Sequence, residues 1–128
     1  AEEKFLSLKK SKVNVRYGPS FDSKIKYIYK KINLPIKQID QKENFRRIVD
    51  LKNNSGWIHV SQVKKSNSII ILEDKILYKK PSNFSKPIAK LEKGRLLVLK
   101  KCENIWCNVK TDDYSGWVKT ENIWGSIK

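Results

Sequence analysis

One phrase is written twice in this chain, SGWIHVSQV at residues 55–63 and SGWVKTENI at residues 115–123. The identity extends upstream without a gap. ENFRRIVDLKNNSGWI from Glu43 lies over ENIWCNVKTDDYSGWV from Glu103, which sets Phe45 over Ile105, Val49 over Val109 and Ile58 over Val118. Further back, YGPSFDSKI parallels KKPSNFSKPI, with the offset drifting from sixty to sixty-two at Pro19 and Pro81. A fixed self-similarity broken only by loop lengths marks two structural repeats. A unit of about 60 residues buries only about 60% of its unfolded surface. Each half is therefore marginal alone, and mutual packing or a covalent staple would help it.

The periodicity within each half is that of strands. VNVRY, IKQID, FRRIVDL and GWIHV alternate apolar and polar residues between Gly, Pro, Asn, Asp or Ser, and so do DKILY, RLLVLKKC, IWCNVK and GWVKT. KENF and CENIW read as tight turns, their Glu-Asn step supplying a left-handed residue. KNNSGW and TDDYSGW read as hairpin turns in which Gly56 and Gly116 take positive φ. Trp57 and Trp117 then cover the core beneath. No segment sustains a helical stripe. About five short strands per half predicts an all-β chain of two small barrels, packed against each other. The expected domains are 5–64 and 69–126, separated by the polar KKSNS. IIIL at residues 69–72 reads as a strand buried on both faces, with the meeting place of the halves as one location. Trp106 and Trp124 are expected to be structural, with a cap on the interface between the repeats as the alternative for Trp124, just past the last predicted strand.

The formal net charge is +15, and both halves are basic. Only Arg16, Arg46, Arg47 and Arg95 are arginines, so lysine dominates. Such a surface favours anionic partners over cationic ones, but a generally solvated lysine surface is the expected reading and a specific polyanion site the alternative. No run of 18 apolar residues exists to span a membrane. The opening AEEKF reads as a mature chain after signal-peptide removal.

Catalytic chemistry is not expected. His59 is the sole histidine and thus the sole imidazole base. Its place in GWIHV reads as a solvated or hydrogen-bonded strand residue. Asp112 and Asp113 share a predicted turn rather than facing each other across a substrate. No phosphate loop or dinucleotide fingerprint is present, so no cofactor is expected. One histidine in the other half from both cysteines makes no zinc site.

The better lead is aromatic. Tyr17 and Phe21 bracket Gly18-Pro19 in a predicted loop, and exposed rings give rigid contact area for peptides or sugars. Arg16 beside them could take a carboxylate in bidentate fashion. The alternative is that Val13, Val15 and Tyr17 alternate into the core while Pro19 shapes a turn.

VNVRYGPS followed by SGWIHVSQV resembles the bacterial SH3-like domain family, whose pattern runs roughly N-x-R-x-G-P-S to G-W-V. The whole chain is similar to the tandem SH3-like proteins of alphaproteobacteria. The residues carrying this are Phe45-Arg46-Arg47, Gly56-Trp57-Ile58-His59, the run Cys102 to Cys107, Gly116-Trp117 and Ile123-Trp124-Gly125. Phe45 stands where the family usually has Trp, and Asn33 where Gly commonly precedes the Leu-Pro step. The second repeat keeps only Pro81-Ser82 of the first motif, so the ligand reading at Arg16, Tyr17, Pro19 and Phe21 applies to the first repeat. The resemblance implies small β-barrels, export to the periplasm and a binding role.

Cys102 and Cys107 flank the turn of a predicted hairpin. Facing positions suit a disulfide, a two-residue turn would set them diagonally, and two buried thiols are the alternative. The family's Cys-x-x-x-Trp-Cys favours the bridge, which in turn argues for an oxidising compartment. The expected function is a non-catalytic periplasmic module recognising a peptidoglycan peptide or a protein partner. A polyanion-binding surface and a purely structural or assembly role are the other readings. A periplasmic address disfavours nucleic acid, and the oligomeric state is not legible.

Overall fold

Residues 4–127, those that this computed structural model describes, form fourteen short strands and one 3-10 turn. The chain divides between Ser66 and Asn67 into two compact units. The first holds β1 (Lys4–Leu8), β2 (Val13–Arg16), β3 (Ile25–Tyr29), β4 (Pro35–Lys42), β5 (Phe45–Val49), β6 (Ser55–His59) and β7 (Val63–Lys65), with the 3-10 turn Val60–Gln62 between the last two. These make one antiparallel sheet in the order β3-β2-β6-β5-β4-β1-β7. The second unit holds β8 (Ser68–Ile71), β9 (Lys75–Tyr78), β10 (Pro87–Leu91), β11 (Leu96–Glu103), β12 (Trp106–Thr111), β13 (Tyr114–Lys119) and β14 (Ile123–Gly125). Their order is β10-β9-β13-β12-β11-β8-β14.

Each sheet wraps round its own core because alternate residues of its strands meet in one cluster. In the first unit Leu8, Val13, Val15, Ile36, Ile48 and Ile58 are fully buried together. Each such side chain contributes roughly 1.5–3 kcal/mol by leaving water. In the second unit Ile69, Ile71, Leu77, Leu91, Leu97, Cys107, Val109 and Val118 play that part. The long strands β4 and β11 bend where their register slips, between Gln38 and Asp40 and between Leu99 and Lys101. An extra residue in one strand increases local twist, and here the bend falls at matching places in both sheets.

Seven strands per unit exceed the five expected. The missed ones are short or lack alternation: β7 and β14 have 3 residues each, and β3 is an edge strand with exposed Ile25 and Ile28. The IIIL run is an interior strand of the second sheet, between β11 and β14, with all four residues of β8 buried. Trp124 lies within a strand, not after one, and pairs with Ile70.

The duplication holds in three dimensions, but not at a constant offset. Phe45 follows the β4–β5 turn and faces His59, whereas the first residue after the β11–β12 turn is Trp106, facing Lys119. Likewise Ile48 faces Gly56 as Val109 faces Gly116. The gapless alignment of Phe45 with Ile105 and Val49 with Val109 is therefore corrected by one residue. The first turn places its left-handed residue at Glu43 (φ 52°), the second one position later at Asn104 (φ 54°). The following hairpin of the first unit, between paired Val49 and Ser55, is longer than that between Thr111 and Tyr114.

The reading of Gly56 and Gly116 is also corrected. Neither has positive φ; in those hairpins it is Asn53 (φ 67°) and Asp112 (φ 46°) that turn the chain. Both glycines lie inside strands, where a neighbouring strand crosses closely. A Cβ on Gly56 would collide with Val15 Cγ1. One on Gly116 would lie 2.7 Å from the Tyr78 carbonyl oxygen and 2.9 Å from Leu77 Cγ. Trp57 and Trp117 alternate with the buried Gly56, Ile58, Gly116 and Val118, so both sit half-buried on the opposite face of the strand instead of covering the core. Asn33, by contrast, does what the family's glycine would do. It is left-handed (φ 66°) like Gly94 (φ 94°) in the second unit. Its N–H bonds to the Leu8 carbonyl at 2.9 Å, as that of Gly94 bonds to Ile71 at 2.8 Å.

Cys102 and Cys107 form a disulfide, with Cα atoms 4.0 Å apart. The turn does have two residues, yet the pair is directly opposite and not diagonal. Glu103 and Trp106 pair first, so the cysteines fall at the next rung of the ladder. No helix of the described residues is long and apolar enough to cross a membrane.

Candidate functional site

Alternation assigns the groups on the outer face of the first sheet. Val13 and Val15 point inward, which turns Asn14 and Arg16 outward on β2. Gly56 and Ile58 point inward, which turns Trp57 and His59 outward on β6. Directly opposed residues of neighbouring strands share a face. Arg16 faces Trp57, Trp57 faces Arg47, and His59 faces Phe45. Phe45 is only 7% exposed, yet it is no part of the core cluster.

What buries Phe45 is the loop from Tyr17 to Lys24. The loop closes on itself, with Tyr17 N–H donating to the Lys24 carbonyl at 3.0 Å and Ser23 N–H to that of Ser20 at 3.1 Å. Asp22 N–H adds a bond to Ser20 Oγ at 3.1 Å. This folds the Phe21 ring over the outer face, 4.9 Å from the His59 ring centroid and 5.2 Å, edge-on, from that of Phe45. Arg16 tethers the loop, its Nη1 donating to the carbonyls of Phe21 at 3.1 Å and Ser23 at 2.9 Å. Its guanidinium carbon lies 5.5 Å from the Phe21 centroid.

His59 is fixed from the other side. The Ser61 backbone N–H donates to its Nδ1 at 3.2 Å, capping the 3-10 turn, and Ser61 Oγ lies 2.8 Å from the same nitrogen. A backbone amide can only donate, so Nδ1 accepts and the neutral ring carries its proton on Nε2. The resulting groove has a volume of about 290 Å³ and is lined by Lys12, Asn14, Arg16, Phe21, His59 and Gln62. That is at the low end for ligand sites, which run about 300–1,000 Å³. It suits one or two residues of a chain better than a large cofactor. Among the described residues no carboxylate lines it, and no group of three or more His, Cys, Asp and Glu is placed to hold a metal.

Of the four residues read from sequence as ligand-binding, Arg16 and Phe21 meet in this groove. Tyr17 and Pro19 do not line it. Tyr17 is 65% exposed and carries Lys26 Nζ 5.6 Å from its ring centroid, while Pro19 is half-buried in the loop. Lys12, Asn14, His59 and Gln62 were missed. The signal for His59 was available: in GWIH it must share a face with Trp57.

The second unit builds the same groove from other residues. Its loop repeats the bonds, with Lys79 N–H to the Lys86 carbonyl at 2.9 Å, Ser85 N–H to that of Ser82 at 3.2 Å, and Phe84 N–H to Ser82 Oγ at 3.1 Å. Asn83 therefore stands where Phe21 does, Tyr78 where Arg16 does and Lys119 where His59 does. Phe84 points wholly into solvent at 100% exposure. The cavity, about 190 Å³, includes Glu73, Asp74, Lys75, Tyr78, Asn83, Lys119 and Glu121 in its lining. Trp106, in the place of Phe45, meets Tyr78 edge-on at 5.7 Å, and Lys119 Nζ lies 5.8 Å from its ring centroid.

Comparison with known proteins agrees with this internal symmetry. The family model "Bacterial SH3 domain" matches twice, at residues 9–65 and 74–125. No curated protein sequence matches the chain. Among solved structures it is similar to NlpC2 from Trichomonas vaginalis, at 10% identity and a TM-score of 0.45, covering 98% of this chain and 49% of that one. NlpC1 from the same organism gives 9% identity and a TM-score of 0.42, covering 95% and 45%. The chain thus spans about half the length of either neighbour. The family and the disulfide together fit an extracytoplasmic protein. Two matches covering most of the sequence, one on each sheet, show that the chain belongs to the bacterial SH3 domain family.

Proposed function

We propose that this chain is a non-catalytic recognition module of the periplasm, and that its first repeat binds a short cell-wall peptide in the groove between Arg16, Phe21 and His59. One observation carries the reading. Phe21 is held out over a sheet face by a bonded loop and an arginine tether, leaving an exposed ring beside fixed donors. Aromatic rings fixed at low entropic cost beside polar donors are a common design for peptide contact.

The surroundings of His59 support the absence of catalysis. Ser61 is the hydroxyl nearest the imidazole, but the same Nδ1 takes the Ser61 backbone N–H, and no described carboxylate orients the ring. That arrangement is a cap rather than a nucleophile and base. The lysine-rich surface retains a second reading, polyanion binding, whose signature is affinity falling steeply with salt.

The test is a titration of the isotope-labelled chain with soluble muropeptides, followed by NMR, alongside co-sedimentation with purified sacculi. Shifts are expected at Arg16, Phe21 and His59. No shift from any fragment would count against the cell-wall reading.

A further inference from the structure

The geometry points to a narrower assignment, which rests on that reading: the first groove is a site for the free carboxylate of a peptide, read by Arg16 and His59. Arg16 divides its guanidinium between two tasks. Both bonds to the loop leave from Nη1. Among the described residues Nε and Nη2 have no protein partner, and these two donors form the edge that matches a carboxylate with two parallel bonds. Because Nη1 already anchors the side chain, little rotamer freedom remains to be lost when a ligand arrives.

His59 supplies a third donor. Its Nδ1 is capped by Ser61, so the neutral imidazole offers Nε2–H. Lys12 adds positive charge, and among the described residues no carboxylate in the lining competes for these groups. The Phe21 ring provides an apolar wall for the side chain next to the bound terminus. The second unit serves as an internal contrast. There the arginine position is Tyr78, and Glu73, Asp74 and Glu121 stand in the lining against Lys75 and Lys119, so a ligand carboxylate finds neither a guanidinium fork nor a lining free of acidic groups. The two repeats thus keep one loop geometry, and only the first lines its groove with an arginine and no described carboxylate.

The experiment compares N-acetyl-alanyl-alanine, with its free C-terminal carboxylate, against the same peptide with a C-terminal amide. Both are titrated into the intact chain and followed by NMR at the Arg16 Nε–H, the His59 ring and the Phe21 amide. The acid is expected to shift all three and the amide to shift none. Arg16→Lys keeps the charge but loses the fork, and is expected to weaken acid binding at least tenfold. A preserved Phe21 ring-current shift on His59 certifies that the loop stays closed in that variant. Equal shifts from acid and amide would overturn the assignment. So would equal binding by Arg16→Lys, or inorganic phosphate shifting the same groups with the same affinity. Acid binding without muropeptide binding would sink the cell-wall reading and leave the carboxylate site standing. Muropeptide binding indifferent to amidation of its carboxyl groups would do the reverse.

Discussion

Phe21 lies across His59 with ring centroids 4.9 Å apart, a contact made by a loop residue that is itself 63% exposed. The exposure belongs to one side of the ring. The other side, edge-on to Phe45, closes an outer-face cluster that the barrel core does not reach.

Removing that lid has a defined cost. Phe21→Ala is expected to destabilise the first repeat by about 1 kcal/mol, the scale of an aromatic pair, and to expose Phe45. Tyr17→Ala removes an equally exposed ring that seals nothing, and is expected to stay within about 0.5 kcal/mol of the parent. Urea unfolding of the two variants side by side decides the matter. Equal midpoints would mean that Phe21 covers nothing of consequence.

The strand glycines should be far less tolerant than the turn positions. Gly56→Ala drives a methyl group into Val15 and the Arg16 backbone, and Gly116→Ala drives one into Tyr78 and Leu77. Each is expected to destabilise by about 1–3 kcal/mol, as overpacking does. Asn33→Gly preserves the left-handed conformation and is expected to stay near neutral. Thermal melts in which Gly56→Ala behaves like Asn33→Gly would remove the close-crossing argument.

These glycines also mark how far sequence reasoning reached. Duplication, strand class and the family were legible because they are carried by period and by identical residues. The role of Gly56 was not, because a glycine after Asn-Asn-Ser reads locally as a turn residue. Only the register, which puts it opposite Ile48 and beside Val15, reveals that it is a crossing point. The one-residue slip between the repeats was hidden for a similar reason. Two compensating length changes restore the sixty-residue offset at Trp57 and Trp117, so nothing in the aligned text betrays them. Of the groove, Arg16 and Phe21 were readable as a cation near an aromatic loop. Lys12 and Gln62 were not, since only the folded chain brings residues so distant together.

The disulfide should matter to one repeat alone. Cys107 is fully buried in the second core, and Cys102 packs against that core. Closing so short a loop stabilises by roughly 2 kcal/mol in the chain-entropy model. Reduction under native conditions is expected to lower the protection of second-repeat amides against hydrogen exchange by about that amount. Protection in the first repeat should be unchanged. Thiol titration of the denatured chain before reduction should find none free. Two free thiols there, or protection lost equally in both repeats, would contradict the assignment.

A hydrogen-bond network sensitive to alkaline pH ties β3 to the longer hairpin. The Tyr29 hydroxyl donates to Asp50 Oδ2 at 2.8 Å and lies 3.1 Å from that of Tyr27. Asp50 Oδ1 meanwhile accepts the N–H groups of Lys52 and Asn54, each at 2.9 Å. Burial first, then the hydrogen bonds to Tyr27 and Asp50, push the Tyr29 phenol far above its ordinary range, and burial also raises Tyr27. A folded-state value above the unfolded one gives stability that is fully present below the unfolded pKa of about 10 and is lost as pH rises towards the folded one. Of the 5 tyrosines, Tyr29 should therefore be the last to ionise in an absorbance titration. The stability gap between the parent and Tyr29→Phe should hold constant through neutral pH and close above about pH 10. If the gap persists unchanged into strong alkali, the phenol proton is not what holds β3 to this hairpin.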